Sequence, residues 1–170
     1  LDTAVEMLAY VLPEDKLDGM LVYTADKNGE GDRYFCKDGK IQRESDDGSR
    51  DSRYPKEDDH ELDVPLAVLV NGNSASASEV FTGAVMDYDA GIVVGTTTFG
   101  KGIVQNLIPL GDGTAIKLTT AHYYTPNGFD LHGKGLEPDV VVEMDEELQK
   151  KAVVELSEDN QLQAAIEAMN

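Results

Sequence analysis

Hydrophobic and polar positions along the chain divide it into segments of different period. Leu1, Val5, Leu8 and Leu12 recur at helical spacing with Ala4, Met7 and Ala9 filling in, so residues 1–12 predict an amphipathic helix that Pro13 stops. Leu21-Val22-Tyr23-Thr24 predicts a short strand, Asp26-Lys27-Asn28-Gly29 a turn, and residues 33–37 an antiparallel return. Residues 38–63 are polar, acidic and rich in Gly, Ser and Asp, which predicts a mobile surface excursion. The continuous apolar run from Pro65 to Asn71 predicts a central strand covered on both faces. A helix over residues 76–88 and a buried strand over residues 92–95 follow. Two strand-like stretches, 103–110 and 114–124, flank Gly111-Asp112-Gly113 and predict a β-hairpin. From Asp145 onward a helical segment is expected, with Leu148, Val153, Leu156, Leu162 and Ile166 as its apolar points. Alternating strands and helices make this an α/β domain. The expected division is a core over residues 1–144, carrying the 38–63 excursion, and a C-terminal helical segment over 145–170.

Composition narrows the classes. The 170 residues are 41% hydrophobic, enough for one ordinary domain with its own core. No apolar run reaches bilayer length. The chain opens on Leu1-Asp2-Thr3-Ala4, without an initiator Met or a leader pattern, so a piece of a longer protein is expected. A formal charge of −19 argues against nucleic acid as a partner, since phosphate binding needs clustered Lys and Arg. The acidity concentrates in residues 44–63 and 143–158, where solvation of a loop and a helix face accounts for it. Cys36 stands alone, which excludes an internal disulfide, and its strand-like setting fits a structural cysteine. No Cys/His or carboxylate cluster has metal-ligand spacing, so neither metal nor cofactor is expected.

Two stretches could carry chemistry. Asn71-Gly72-Asn73-Ser74-Ala75-Ser76-Ala77-Ser78-Glu79 joins a predicted strand to a predicted helix through small residues. Such a turn can expose a hydroxyl while helix-start N–H groups face a developing oxyanion. Helix capping is the competing account, because Ser76-x-x-Glu79 fits a capping box. In Thr96-Thr97-Thr98-Phe99-Gly100-Lys101-Gly102 a lysine lies between glycines. Buried away from other charges, such an amine would serve as a base, whereas an exposed lysine in a turn would be inert. The spacing from Gly95 to Gly100-Lys101 is that of a phosphate-cradling loop, but Gly102 replaces the Ser or Thr that such a loop needs.

Taken together, these stretches resemble the carboxyl-terminal processing (tail-specific) peptidases. The resemblance rests on Ser74-Ala75-Ser76-Ala77-Ser78-Glu79, on Gly95…Thr98-Phe99-Gly100-Lys101-Gly102-x-Val104-Gln105, and on Gly133-x-Gly135-x-x-Pro138-Asp139. It covers residues 1–144 apart from the excursion. It implies a crotonase/ClpP-like α/β core of mixed sheet with packed helices, without the PDZ module that sits upstream in the family. It also implies a serine endopeptidase cleaving proteins near their C-termini through a Ser-Lys dyad and an acyl-enzyme. Ser76 would be the nucleophile, Lys101 the general base, Gln105 the residue orienting the lysine, and the Ala77 N–H one oxyanion donor. Family members carry an Asn-Pro-Gly-Gly element before the opening helix that supplies the other donor. The chain begins after it, and loss of one donor costs about a hundredfold to a thousandfold in turnover, so near-inactivity of this stretch alone is expected.

Alternatives remain open at this point. A Ser-His pair using His122 is one, since histidine titrates near neutrality; His132 lies on a loop, and His60 in the acidic excursion is expected to be solvated. A non-catalytic crotonase-like binding or assembly domain is another. Ser74 and Ser78 are rivals to Ser76. The expected partner is a protein or peptide substrate, with membrane attachment only through an upstream segment and a homodimer of the stretch possible through uncovered apolar surface. The resemblance further implies an extracytoplasmic location in a bacterium.

Overall fold

The computed structural model describes residues 1–12, 19–37, 40–55 and 64–170. Helix α1 (Asp2–Val11) follows the leucine spacing, and Leu12 leaves it in an extended conformation. Strand β1 (Met20–Ala25) pairs antiparallel with β2 (Asp32–Lys37). The turn between them is built on Asp26, whose Oδ1 accepts the N–H groups of Asn28 (2.7 Å) and Glu30 (3.0 Å). These bonds hold the Asp26 carboxyl below its ordinary range.

Much of the expected surface excursion is regular structure. Strands β3 (Lys40–Ser45) and β4 (Arg50–Pro55) extend the sheet beyond β2, while residues 38–39 and 56–63, including His60, lie outside the described residues. Polar composition misleads here because the backbone ladder forms regardless of it, with Ile41 entering the core and charged side chains pairing across the strands. Arg43 meets Asp32 at 2.9 Å, Arg50 meets Glu44 at 3.3 Å, and Arg33 meets Asp46. Alternating charges can therefore line an exposed ribbon as apolar residues line a buried one. Gly48 supplies the positive φ (84°) of the connecting turn.

The six-stranded antiparallel sheet runs β4-β3-β2-β1-β8-β7, with β7 (Ile103–Pro109) and β8 (Ala115–Tyr124) forming the predicted hairpin. A second, parallel sheet runs β5-β6-β9, from β5 (Ala67–Val70), β6 (Ile92–Gly95) and β9 (Val140–Val141). Helix α2 (Ala77–Asp87) connects β5 to β6. The 65–71 run is thus not a central strand: β5 stands at the end of the three-stranded order, and Leu69 is 44% exposed. An apolar run reports low polarity, not which neighbours arrive to cover it.

The core lies between α1, α2 and the antiparallel sheet. Val5, Leu8, Ala9 and Leu12 meet Leu21, Val22, Cys36 and Ile41 on one side and Val80, Ala84 and Val85 of α2 on another. Burying each large aliphatic side chain contributes about 1.5–3 kcal/mol, which fixes α2 and the turn leading into it. The C-terminal segment is not continuously helical. Helix α3 (Glu146–Gln149) and helix α4 (Asn160–Ala168) are separated by non-helical residues, and Val153 and Leu156 are exposed. Asp159 starts α4 anew, accepting the N–H groups of Gln161 and Leu162 at 3.0 Å. Gln161 Nε2 then donates to the Val142 carbonyl (2.7 Å) and Asn160 Nδ2 to that of Glu143 (2.8 Å), fastening α4 to the chain after β9.

Candidate active site

The turn from β5 into α2 is tightly specified. Asn73 N–H donates to Asn71 Oδ1 (2.8 Å), Ser74 N–H to the Asn71 carbonyl (2.8 Å), and Asn71 N–H to Ser74 Oγ (3.1 Å). Ser74 therefore works within the turn, and its carbonyl accepts Phe99 N–H at 2.9 Å. Ser76 follows as the N-cap of α2, with φ 60° and ψ −115°. That is an unfavourable backbone conformation for a residue with a Cβ, worth of order 1–3 kcal/mol in strain. The chain reverses sharply there, between a strand and a helix, a turn that can present a side-chain hydroxyl at the surface. Ser76 is half-buried, Ser78 is exposed, and Ala77 is the first residue of α2, where N–H groups lack intrahelical acceptors.

The lysine turn is held by close backbone approach. A Cβ at Gly100 would lie 2.8 Å from Gly135 N, and one at Gly102 would lie 2.9 Å from His132 N. Both glycines are buried while Lys101 between them is exposed. The expected dry setting for Lys101 is not formed among the described residues, because the glycines take the interior positions and turn the intervening residue outward. Gln105 is also exposed, and its amide donates to Thr119 Oγ1 (3.2 Å) across the hairpin.

What joins the two stretches is Glu79, which sequence reasoning treats only as a capping partner. Its side chain is 0% exposed. Oε2 accepts the N–H of Ser76 (2.9 Å) and the N–H of Lys101 (2.8 Å). Oε1 accepts the Thr98 hydroxyl and the Gly100 N–H, both at 2.6 Å. Thr98 Oγ1 in turn accepts the Leu136 N–H at 2.8 Å, drawing in the 133–136 loop. The capping-box spacing was the available signal, since it already requires Glu79 to turn back towards Ser76.

His122 lies on β8 and pairs elsewhere: its Nδ1 is 3.2 Å from Asp130 Oδ2, and its ring meets that of His132 edge-on at 5.0 Å. Burial pushes the Asp130 carboxyl up, but the His132 N–H and the His122 ring outweigh it and leave it below its ordinary value. Beside the serine turn opens an apolar groove of about 370 Å³, lined by Met7, Val68, Leu69, Ala77, Ser78 and Phe81 among others.

Residues 1–142 match the model of peptidase family S41. The chain belongs to this family. A 79-residue stretch is 54% identical to the carboxy-terminal-processing protease of Bartonella bacilliformis, covering 46% of this chain and 18% of that protein. An 80-residue stretch is 52% identical to the "Probable CtpA-like serine protease" of Staphylococcus epidermidis, covering 47% and 16% respectively. Among solved structures, the photosystem II D1 C-terminal processing protease superposes with a TM-score of 0.62 at 34% identity, over 84% of this chain and 31% of that one. The S41 chain thus corresponds to a minor part of each of these relatives. Its antiparallel and parallel sheets with their packed helices bear out the expected α/β core. No described helix is long and apolar enough to cross a membrane.

Proposed function

We propose that the protein is a serine endopeptidase that cleaves protein substrates near their C-termini, with Ser76 as nucleophile and Lys101 as general base. The observation that carries this reading is the meeting of two remote turns on one carboxylate oxygen, Glu79 Oε2, through the N–H groups of Ser76 and Lys101. The neutral lysine amine takes the Ser76 proton as Oγ attacks the scissile carbonyl. Collapse of the tetrahedral adduct returns that proton to the leaving amine and leaves an acyl-serine ester, which water hydrolyses. Ala77 N–H is the proposed oxyanion donor, and Gln105 the residue that steadies the lysine once substrate is bound. Loss of water disfavours an ammonium, so the substrate lying over the exposed Lys101 is the proposed source of the dry setting that the base needs. A bacterial, extracytoplasmic site of action completes the reading, in keeping with the bacterial relatives named above.

The test uses the full-length protein and a fluorophosphonate probe. Ser76 is expected to be labelled, Lys101→Ala to lose at least a hundredfold in labelling rate, and His122→Ala to stay near wild type. Labelling that survives in Lys101→Ala and dies in His122→Ala would replace the dyad with a Ser-His pair. No labelling of the wild type would favour a binding domain.

A further inference from the structure

We infer that Glu79 is the positioning residue of the dyad, and that the four bonds it accepts set the register between nucleophile and base. This inference rests on the Ser76–Lys101 reading and goes beyond it, because it assigns a function to a buried carboxylate outside the reacting pair. The observation needs explanation. Burying a carboxylate completely is costly unless its oxygens are satisfied, and a helix cap alone requires only one of the four bonds. Three of them instead reach across 19 to 22 positions of sequence to Thr98, Gly100 and Lys101. Lys101 itself is exposed. Its backbone is therefore what this core can hold in place, and Glu79 holds it.

Two consequences follow from the donor geometry. The Ser76 N–H already donates to Glu79 Oε2, so it is not free to meet an oxyanion. The role falls to the next N–H along the helix start, that of Ala77, by occupancy rather than by resemblance. In addition, only an acceptor-only group fits. A carboxylate can take two bonds at each oxygen, whereas a carboxamide has an NH2 on one side. Turned towards Ser76 and Lys101, that NH2 would face two N–H donors; turned the other way, it would face Gly100 N–H. Either arrangement pushes the two turns apart, and a misplacement of about 1 Å costs on the order of a hundredfold in rate.

The experiment is stopped-flow acylation of the full-length protein by a fluorophosphonate, together with peptide turnover, for wild type, Glu79→Gln, Thr98→Val and Thr98→Ser. A merely structural role would lower the amplitude of labelling, that is, the fraction of competent sites. A positioning role lowers the rate constant while the amplitude stays complete. Glu79→Gln is expected to lose about a hundredfold in acylation rate and in kcat, with KM little changed. Thr98→Val, which removes one donor to Oε1 and one acceptor for Leu136, is expected to lose about tenfold, and Thr98→Ser to recover it. If Glu79→Gln fails to fold, the threonine pair carries the same test. Wild-type acylation rates in Glu79→Gln, or in Thr98→Val where the glutamine variant does not fold, would overturn the role of Glu79 and leave the protease reading intact. An unlabelled wild type would overturn both.

Discussion

Ser76 concentrates most of the physical interest of this chain in one backbone angle. A serine at φ 60° is held there by its surroundings: the helix it caps, the Glu79 carboxylate on its N–H, and the turn closed by Ser74. Glycine adopts that conformation without penalty from a Cβ. Ser76→Gly is therefore expected to be more stable than Ser76→Ala by about 1 kcal/mol in a denaturant titration, while both abolish acylation. Equal stabilities would mean that the angle is relaxed in solution. Ser74 makes the opposite case. Its hydroxyl accepts the Asn71 N–H and its carbonyl the Phe99 N–H, so its role is the shape of the turn.

The β2–β3 hairpin carries ion pairs beside the Cys36 and Ile41 side chains that it buries in the core. Asp46 bonds the Arg33 guanidinium and the Gly31 N–H, and these hold its carboxyl below the ordinary aspartate value of 3.8. For a group whose folded value is depressed, the stabilisation is present above the unfolded value and is lost as pH falls through the folded one. The hairpin is accordingly expected to loosen below about pH 4, read as accelerated exchange of the β2 and β3 amides relative to those of α2. Arg33→Met, which removes the first of these bonds, is expected to flatten that dependence. A hairpin whose protection ignores pH in this range would show the pairing to be energetically silent, as many exposed pairs are. The parallel sheet depends instead on backbone proximity. A Cβ at Gly95 (φ 133°) would lie 1.9 Å from the Val70 carbonyl oxygen, so β5 and β6 can join only through glycine at that point.

Taken whole, the molecule couples a small core to a strong negative charge. With 33 acidic and 14 basic residues, its self-repulsion opposes compactness. Raising NaCl from about 0.01 M to 0.15 M shortens the screening length from about 30 Å to 8 Å. The melting temperature is expected to rise by a few degrees over that range in differential scanning calorimetry. A flat or falling Tm would mean that attractive pairs dominate the field. The same whole carries exposed apolar side chains on the β7–β8 hairpin, where Ile108 and Ile116 face each other across the strands at 43% and 48% exposure.

Local period and turn chemistry were legible along the chain. The leucine spacing of α1, the small-residue turn into α2, the Ile92–Gly95 strand and the Gly111-Asp112-Gly113 hairpin all stand in the structure. They were readable because each is specified by residues a few positions apart, and the two chemical stretches were readable for the same reason. Other features depend on partners far away in the chain. Strands β3 and β4 join the sheet through Ile41, which enters the core, and carry ion pairs of Arg33, Asp32 and Glu44 with residues across the strands, contacts that the composition of residues 38–63 does not express. The uncovered side of β5 and the outward turn of Lys101 follow from what packs beside them. Glu79 draws its acceptor role from donors 19 to 22 positions on, which come into range only when the chain closes. Residue order thus settles which groups are available and which turns they occupy. Closure of the fold settles which of them meet, since hydrogen bonds and burial act over ångströms and not along the sequence.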